Sequence, residues 1–280
     1  MPRAGLLSAL LILTTGILSG CNALFGEPEE VPPSRIRSLN KPGWASPDQD
    51  NKTAAVVDAP KSTTTVTPTP TPEGYAGIVG KLIDKYRQTE RGQERERAVQ
   101  SALPDVTEKD VTEAIRATQS GKRLEAEVGM AIVTGYYTNL KEWRKIEEQY
   151  KNLFIAVPEL RFDPTHLIEH GWAMMKMGIF QKSVERATEA ERYFSNLPNG
   201  ADPELHRARV LECRAWSYEG LFRESVAKGN DEDTALYRER AIKEWEDFRD
   251  LLKPLTGSNK EVADRVALAE DHIAGFKGRN

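Results

Sequence analysis

Cysteine is nearly absent from this sequence. Two in 280 residues, Cys21 and Cys213, exclude a fold held by a disulfide framework. No apolar run is long enough to serve as a permanent membrane anchor, which takes about 20 residues; the longest reading of this kind ends at Leu18. Concentrated charge is missing as well. The formal net charge is −4, and acidic and basic residues alternate along the chain, as in Glu94 with Arg97 and Glu142 with Lys145. Nucleic acid is therefore not an expected partner, because phosphate binding needs a concentrated basic face. The sequence has no G-x-S-x-G nucleophile elbow. Its four histidines, His166, His170, His206 and His272, leave few options for a serine or cysteine triad. Gly74, Gly77 and Gly80 have a glycine spacing but neither a preceding hydrophobic strand nor a following Lys-Ser/Thr, so no phosphate-binding loop is expected.

What is present begins at the first residues. Arg3 precedes the apolar run Ala4 to Leu18, the layout of a secretory signal. The run closes in Leu18-Ser19-Gly20-Cys21, which resembles the lipobox of bacterial lipoproteins. That resemblance implies a diacylglyceryl (palmitate-type) thioether on Cys21, cleavage before it, and a further acyl chain on the new amino group. At about 0.8 kcal/mol per buried CH₂, two or three chains hold a protein firmly to a bilayer. An ordinary secreted protein whose signal happens to end in cysteine is the alternative. With Cys21 acylated, Cys213 stands alone in an apolar helical stretch, as a small core residue. By the sorting rule of enterobacterial lipoproteins, Asn22, where an inner-membrane protein carries Asp, points to the outer membrane.

Residues 21–72 are expected to be a disordered tether. Glu27 to Pro33 and Ser46 to Thr53 are polar and proline-dotted, and Lys61 to Pro72 reads KSTTTVTPTPTP, which favours extended polyproline-like chain. Fully extended, a segment of roughly 50 residues spans well over ~100 Å.

Residues 73–280 show 3.6-residue periodicity and no convincing alternation, which predicts an all-α domain. Asp163-Pro164 and Asp202-Pro203 each place a capping carboxylate before a proline suited to a first helical turn. Asn139 with Glu142 and Thr107 with Asp110 have the spacing of capping boxes. Pro104, Gly121, Gly178, Gly200, Gly229 and Gly257 fall between periodic segments.

The segment from Pro164 to Leu197 has Leu167, Gly171 and Met174 on one stripe, a turn at Gly178, then Phe180, Ser183, Ala187 and Ala190. This spacing resembles the tetratricopeptide repeat family. There a small residue lets two helices approach, a glycine turns the chain, an aromatic opens the second helix, and small residues mark the crossing. A similar unit precedes it, with Met130, Val133, Tyr137, Trp143, Ile146, Tyr150, Leu153 and Pro158, though Thr134 replaces the usual glycine. A third offers Trp216, Tyr237, Ala241, Trp245 and Phe248 around a polar loop from Lys228 to Asp233. The resemblance implies an α-solenoid of hairpins at about 125–158, 164–198 and 203–254. Two leading helices from Gly74 to Ser120 and a terminal helix at 260–276, with Val262, Val266, Ala269 and Ile273 facing inward, would cap it. A plain helical bundle is the alternative.

In such a stack the first helix of each pair lines a groove, which makes Tyr136, Trp172, Arg209 and Trp216 candidates for gripping a protein or peptide. A lipid-anchored scaffold at the cell envelope, outer membrane by expectation and facing the periplasm or the surface, follows. It is similar in plan to repeat lipoproteins of outer-membrane or secretion and pilus assembly, with no enzymatic activity, cofactor, metal or small-molecule substrate expected. One motif opposes this reading. His166-Leu167-Ile168-Glu169-His170 matches the H-x-x-E-H pattern of inverzincin metalloproteases, whose resemblance implies two zinc ligands and a water-activating glutamate, completed by Glu239, Glu244 or Glu246. A self-associating structural lipoprotein is the other alternative.

Overall fold

The computed structural model describes residues 74–89, 93–197, 201–258 and 260–278, and it is helical throughout with no strand among them. Cys21, the signal sequence, the tether at 21–72 and Gly200 lie outside the described residues. Ten α-helices follow one another: α1 Gly77–Gln88, α2 Gln93–Ala102, α3 Glu108–Thr118, α4 Arg123–Asn139, α5 Trp143–Ala156, α6 Pro164–Lys176, α7 Phe180–Arg192, α8 Pro203–Lys228, α9 Asp231–Leu252 and α10 Lys260–Lys277. None of them is long and apolar enough to cross a membrane.

The caps explain most of the boundaries. Asp163 accepts from the Thr165 amide at 3.0 Å, Asp202 accepts from Glu204 and Leu205, and each is followed by proline at the first helical position. Thr107 and Asp110 form a reciprocal capping box at α3. The box expected at Asn139 and Glu142 does not exist. Asn139 is the last residue of α4, and Glu142 precedes α5 without a side-chain cap.

A shared backbone turn joins the pairs instead. The Glu142 amide reaches back to Tyr137 O, Ile179 to Met174 O and Asn230 to Ser225 O, all between 2.9 and 3.0 Å, around a left-handed residue at Lys141, Gly178 or Gly229. This is a Schellman closure used three times. The residues after the first two left-handed positions have nearly the same dihedrals, −90° and 59° at Glu142, −92° and 58° at Ile179. The third turn compresses the polar loop expected over Lys228 to Asp233 to Gly229 and Asn230, because the acidic run Asp231 to Asp233 suits the first turn of a helix. Gly74 to Ser120 yields three helices where two were expected, since Thr89 turns extended and ends α1.

From α3 onward each helix packs against the next; α1 packs on α2 and α4, and α6 also packs against α8. Small residues set the closest approaches. Gly171 lies where a Cβ would meet Ser183 O, Arg186 Cβ and Cys213 Sγ at 3.4–3.5 Å, so α6, α7 and α8 converge there. Ser183 Oγ, Cys213 Sγ and Ser217 Oγ form a buried hydrogen-bonded knot at the same junction. Gly129, not singled out in the sequence, sits so near α3 that a Cβ would lie 2.4 Å from Ala114 O. Indeed α4 packs more extensively on α3 than on α5.

Two apolar cores result. One is built from α1 to α8 and includes Met130, Tyr150, Leu167 and Ala187; the other lies between α7, α8, α9 and α10 around Trp245 and Phe248. α8 serves both, turning Val210 and Cys213 to the first and Leu205, Leu211 and Ala215 to the second. As expected, Val262, Val266, Ala269 and Ile273 of α10 are buried, and Phe276 joins them.

Candidate functional site

The four groove candidates fall on the alternate helices α4, α6 and α8, and only two keep a substantial exposed surface. Tyr136 is half-buried, edge-on to Tyr137 with centroids 5.6 Å apart. Trp216 is half-buried, edge-on to Trp245 at 5.2 Å and to His272 at 4.5 Å. Trp172 is 5% exposed and belongs to the first core, so it supports the fold from inside. Arg209 is 7% exposed, with its guanidinium 3.9 Å from Glu169. Neither is open to a partner. The two are withdrawn because α6 packs against α8 and covers the positions between them.

The H-x-x-E-H motif is taken apart by the same packing. His170 is enclosed by Tyr150, stacked at 5.3 Å, and Phe154 at 5.6 Å, and burial lowers its pKa to about 3. Neither of its ring nitrogens has a hydrogen-bond partner. Glu169 accepts a short hydrogen bond from the Tyr150 hydroxyl, whose pKa burial and this carboxylate push well up. Of the proposed third ligands, Glu244 pairs with Arg214 at 3.0 Å, Glu246 with Lys277 at 2.7 Å, and Glu239 is exposed. The sequence motif therefore does not assemble the zincin constellation, and its alternative reading is set aside.

His166 joins a different set. Among the described residues, Glu127 of α4, Asp163 at the cap of α6 and His166 in its first turn are the group of His, Cys, Asp or Glu side chains whose ligand atoms come within 4.8 Å of one another. All three are buried. Two arginines attend the carboxylates: Arg123 Nε donates to Glu127 Oε1 at 2.9 Å and its Nη2 to Asp163 Oδ2 at 3.4 Å, while Arg95 Nη1 lies 3.5 Å from Glu127 Oε2. Sequence reasoning missed this cluster. Asp163 read only as a helix cap and Glu127 as one of many carboxylates on solvated helix faces.

Further along the chain, charged pairs are enclosed between α8 and α10. Arg265 donates to Glu212 at 2.7 Å with both side chains buried; burial raises the Glu212 pKa against the pull of Arg265. His272 Nδ1 lies 3.0 Å from Glu219. Burial acts to raise Glu219, but His272 and Arg223 outweigh it and hold it below the usual carboxylate range. Cys213 is buried and its thiol is pushed up to about 12 by desolvation, so it is not a nucleophile.

Together these features define, over the described residues, an all-helical domain with enclosed polar clusters. No protein family's profile matches the chain, and no curated protein or solved structure is significantly similar to it.

Proposed function

We propose that this chain is a lipid-anchored protein of the bacterial envelope, held through Cys21, whose tetratricopeptide-like hairpins bind a protein or peptide partner beyond the reach of the lipid surface. A role in outer-membrane, secretion or pilus assembly is the class of task such a plan suits. The observation that carries the reading is the thrice-used turn. Left-handed residues at Lys141, Gly178 and Gly229 join α4 to α5, α6 to α7 and α8 to α9 with the same hydrogen bonding, and the first two lead directly into aromatics, Trp143 and Phe180. Hairpins repeated in this way, with α6 packed against α8, present neighbouring first helices on one face, which is how helical repeats take extended ligands.

The docking residues shift from those expected. Tyr136 keeps its place, and Leu140, four residues on and so on the same side of the helix, is 51% exposed. Trp216 retains part of its indole surface, while Trp172 and Arg209 act by holding the helices that carry the others.

A photo-crosslinking residue placed at 136 or 140 in the acylated full chain tests this in intact envelopes. One defined partner is expected at both positions. Its capture should fall at least tenfold when Tyr136→Ala and Leu140→Ser are combined at unchanged helical content. No adduct, or an adduct indifferent to those substitutions, overturns the partner-binding reading. In the same cells Cys21→Ser should move the protein out of the membrane fraction, and retention there overturns the anchor.

A further inference from the structure

The geometry points to a site for one divalent transition-metal ion at Glu127, Asp163 and His166, and we propose zinc as the ion that fits it. The inference does not depend on partner binding, and of the H-x-x-E-H pattern this site takes His166 alone, without Glu169 or His170.

Two carboxylates and one imidazole, one from α4 and two from the start of α6, converge in a buried place, their ligand atoms within 4.8 Å of one another. Ligands at zinc bond lengths of ~2.1 Å in a tetrahedron stand about 3.4 Å apart, so modest side-chain rotations close the set. The position of Asp163 is fixed by its cap to the Thr165 amide, and His166 follows one turn later on the same helix. An oxygen-and-imidazole set of three matches the three-ligand zinc arrangement better than calcium or magnesium, which prefer oxygens alone.

A salt-bridge cluster accounts for only part of these observations. Arg95 and Arg123 satisfy the carboxylates, but they leave His166 unexplained. His166 is 8% exposed, and its buried Nδ1 has no hydrogen-bond partner. Buried polar atoms are usually paired, and an unpartnered imidazole nitrogen on a ring that comes close to two carboxylates marks a place for a bound cation. A bound dication uses all three side chains.

Charge decides the form of the site. The two arginines balance the two carboxylates, so an incoming dication competes with a guanidinium. Arg123 is the one that can yield: its side chain is 45% exposed, against 14% for Arg95. Arg123 thus acts as a removable counter-ion over the site, closing it when the metal is absent.

The full-length protein, stripped with chelator, is titrated with zinc chloride and, separately, cobalt(II) chloride, with His166→Ala, Glu127→Gln and Arg123→Gln alongside. The expected result is one zinc per chain and a visible cobalt absorption band. Affinity should weaken in His166→Ala and Glu127→Gln by at least the roughly 10–100-fold that losing even an outer-shell partner costs. It should tighten in Arg123→Gln, an effect that a purely structural salt bridge would not produce. Glu127→Gln keeps the side-chain volume and carries the test if His166→Ala fails to fold. The proposal is overturned if the wild-type chain takes up no saturable zinc, if the two ligand variants bind as tightly as wild type, or if Arg123→Gln binds no tighter.

Discussion

His170 is a histidine kept neutral by its surroundings. Tyr150 and Phe154 enclose it, Glu147 approaches no nearer than 4.0 Å, and desolvation, helped by Arg186 and Lys151, lowers its pKa to about 3. In the unfolded chain the same ring titrates near 6.5. Between those values the unfolded state holds the extra proton, so native stability falls as pH drops from about 6.5 toward 3, by up to about 1.4 kcal/mol per pH unit, and this group contributes no slope above 6.5. Because neither ring nitrogen is hydrogen-bonded, phenylalanine can take the place with no polar loss. His170→Phe should leave the melting temperature at pH 7.5 within a few degrees of wild type and raise it progressively from pH 6 to pH 4. Parallel melting curves across that range for the two proteins would show that His170 titrates normally and is not enclosed as described.

The turns between helices show what could and could not be read in the residues. Gly178 and Gly229 were legible because glycine is the residue that takes a left-handed conformation without cost, and the break at Pro104 and the caps at Asp163 and Asp202 were equally plain. The turn between α4 and α5 was not, since a lysine stands where its equivalents have glycine, and the neighbouring Asn139 and Glu142 imitated a capping box. Lys141 adopts φ 57° because the surrounding backbone bonds, Lys141 to Thr138 O and Glu142 to Tyr137 O, leave it no other choice. The site was less legible than the turns. Which face of a helix is covered depends on neighbours far along the chain, so Trp172 and Arg209, well placed on their own helices, are buried by the approach of α6 to α8, and His166 meets Glu127 from 39 residues away. Lysine held left-handed carries backbone strain that glycine relieves, against the greater freedom glycine gives the unfolded chain. Lys141→Gly should stabilise the protein by about 1 kcal/mol, read as a shift in the urea midpoint at constant slope. Destabilisation would mean that the turn is not the equivalent of Gly178.

Across the whole helical domain, the two cores divide the labour and meet on α7 and α8. The second core depends on α10. Val262, Val266, Ala269, Ile273 and Phe276 lie against α8 and α9, the buried Arg265 and Glu212 pair crosses between α8 and α10, and Arg238 of α9 donates to Phe276 O near the end of α10. Burial of each larger side chain is worth about 1.5–3 kcal/mol, so α10 supplies a large part of what holds α9 in place. In a stack where each element touches its neighbours, loss of a terminal helix is felt first by the one beneath it. Truncation after Ser258 should therefore raise amide exchange through α9 and the C-terminal half of α8, where Trp245, Phe248 and Tyr218 lose their cover, while α3 to α6 keep their protection. The same truncation leaves Glu127, Asp163 and His166 untouched, so any zinc uptake by the intact chain should survive it. Uniform loss of protection from α3 to α9 would show instead that the two cores form one cooperative unit and that α8 transmits unfolding from one to the other.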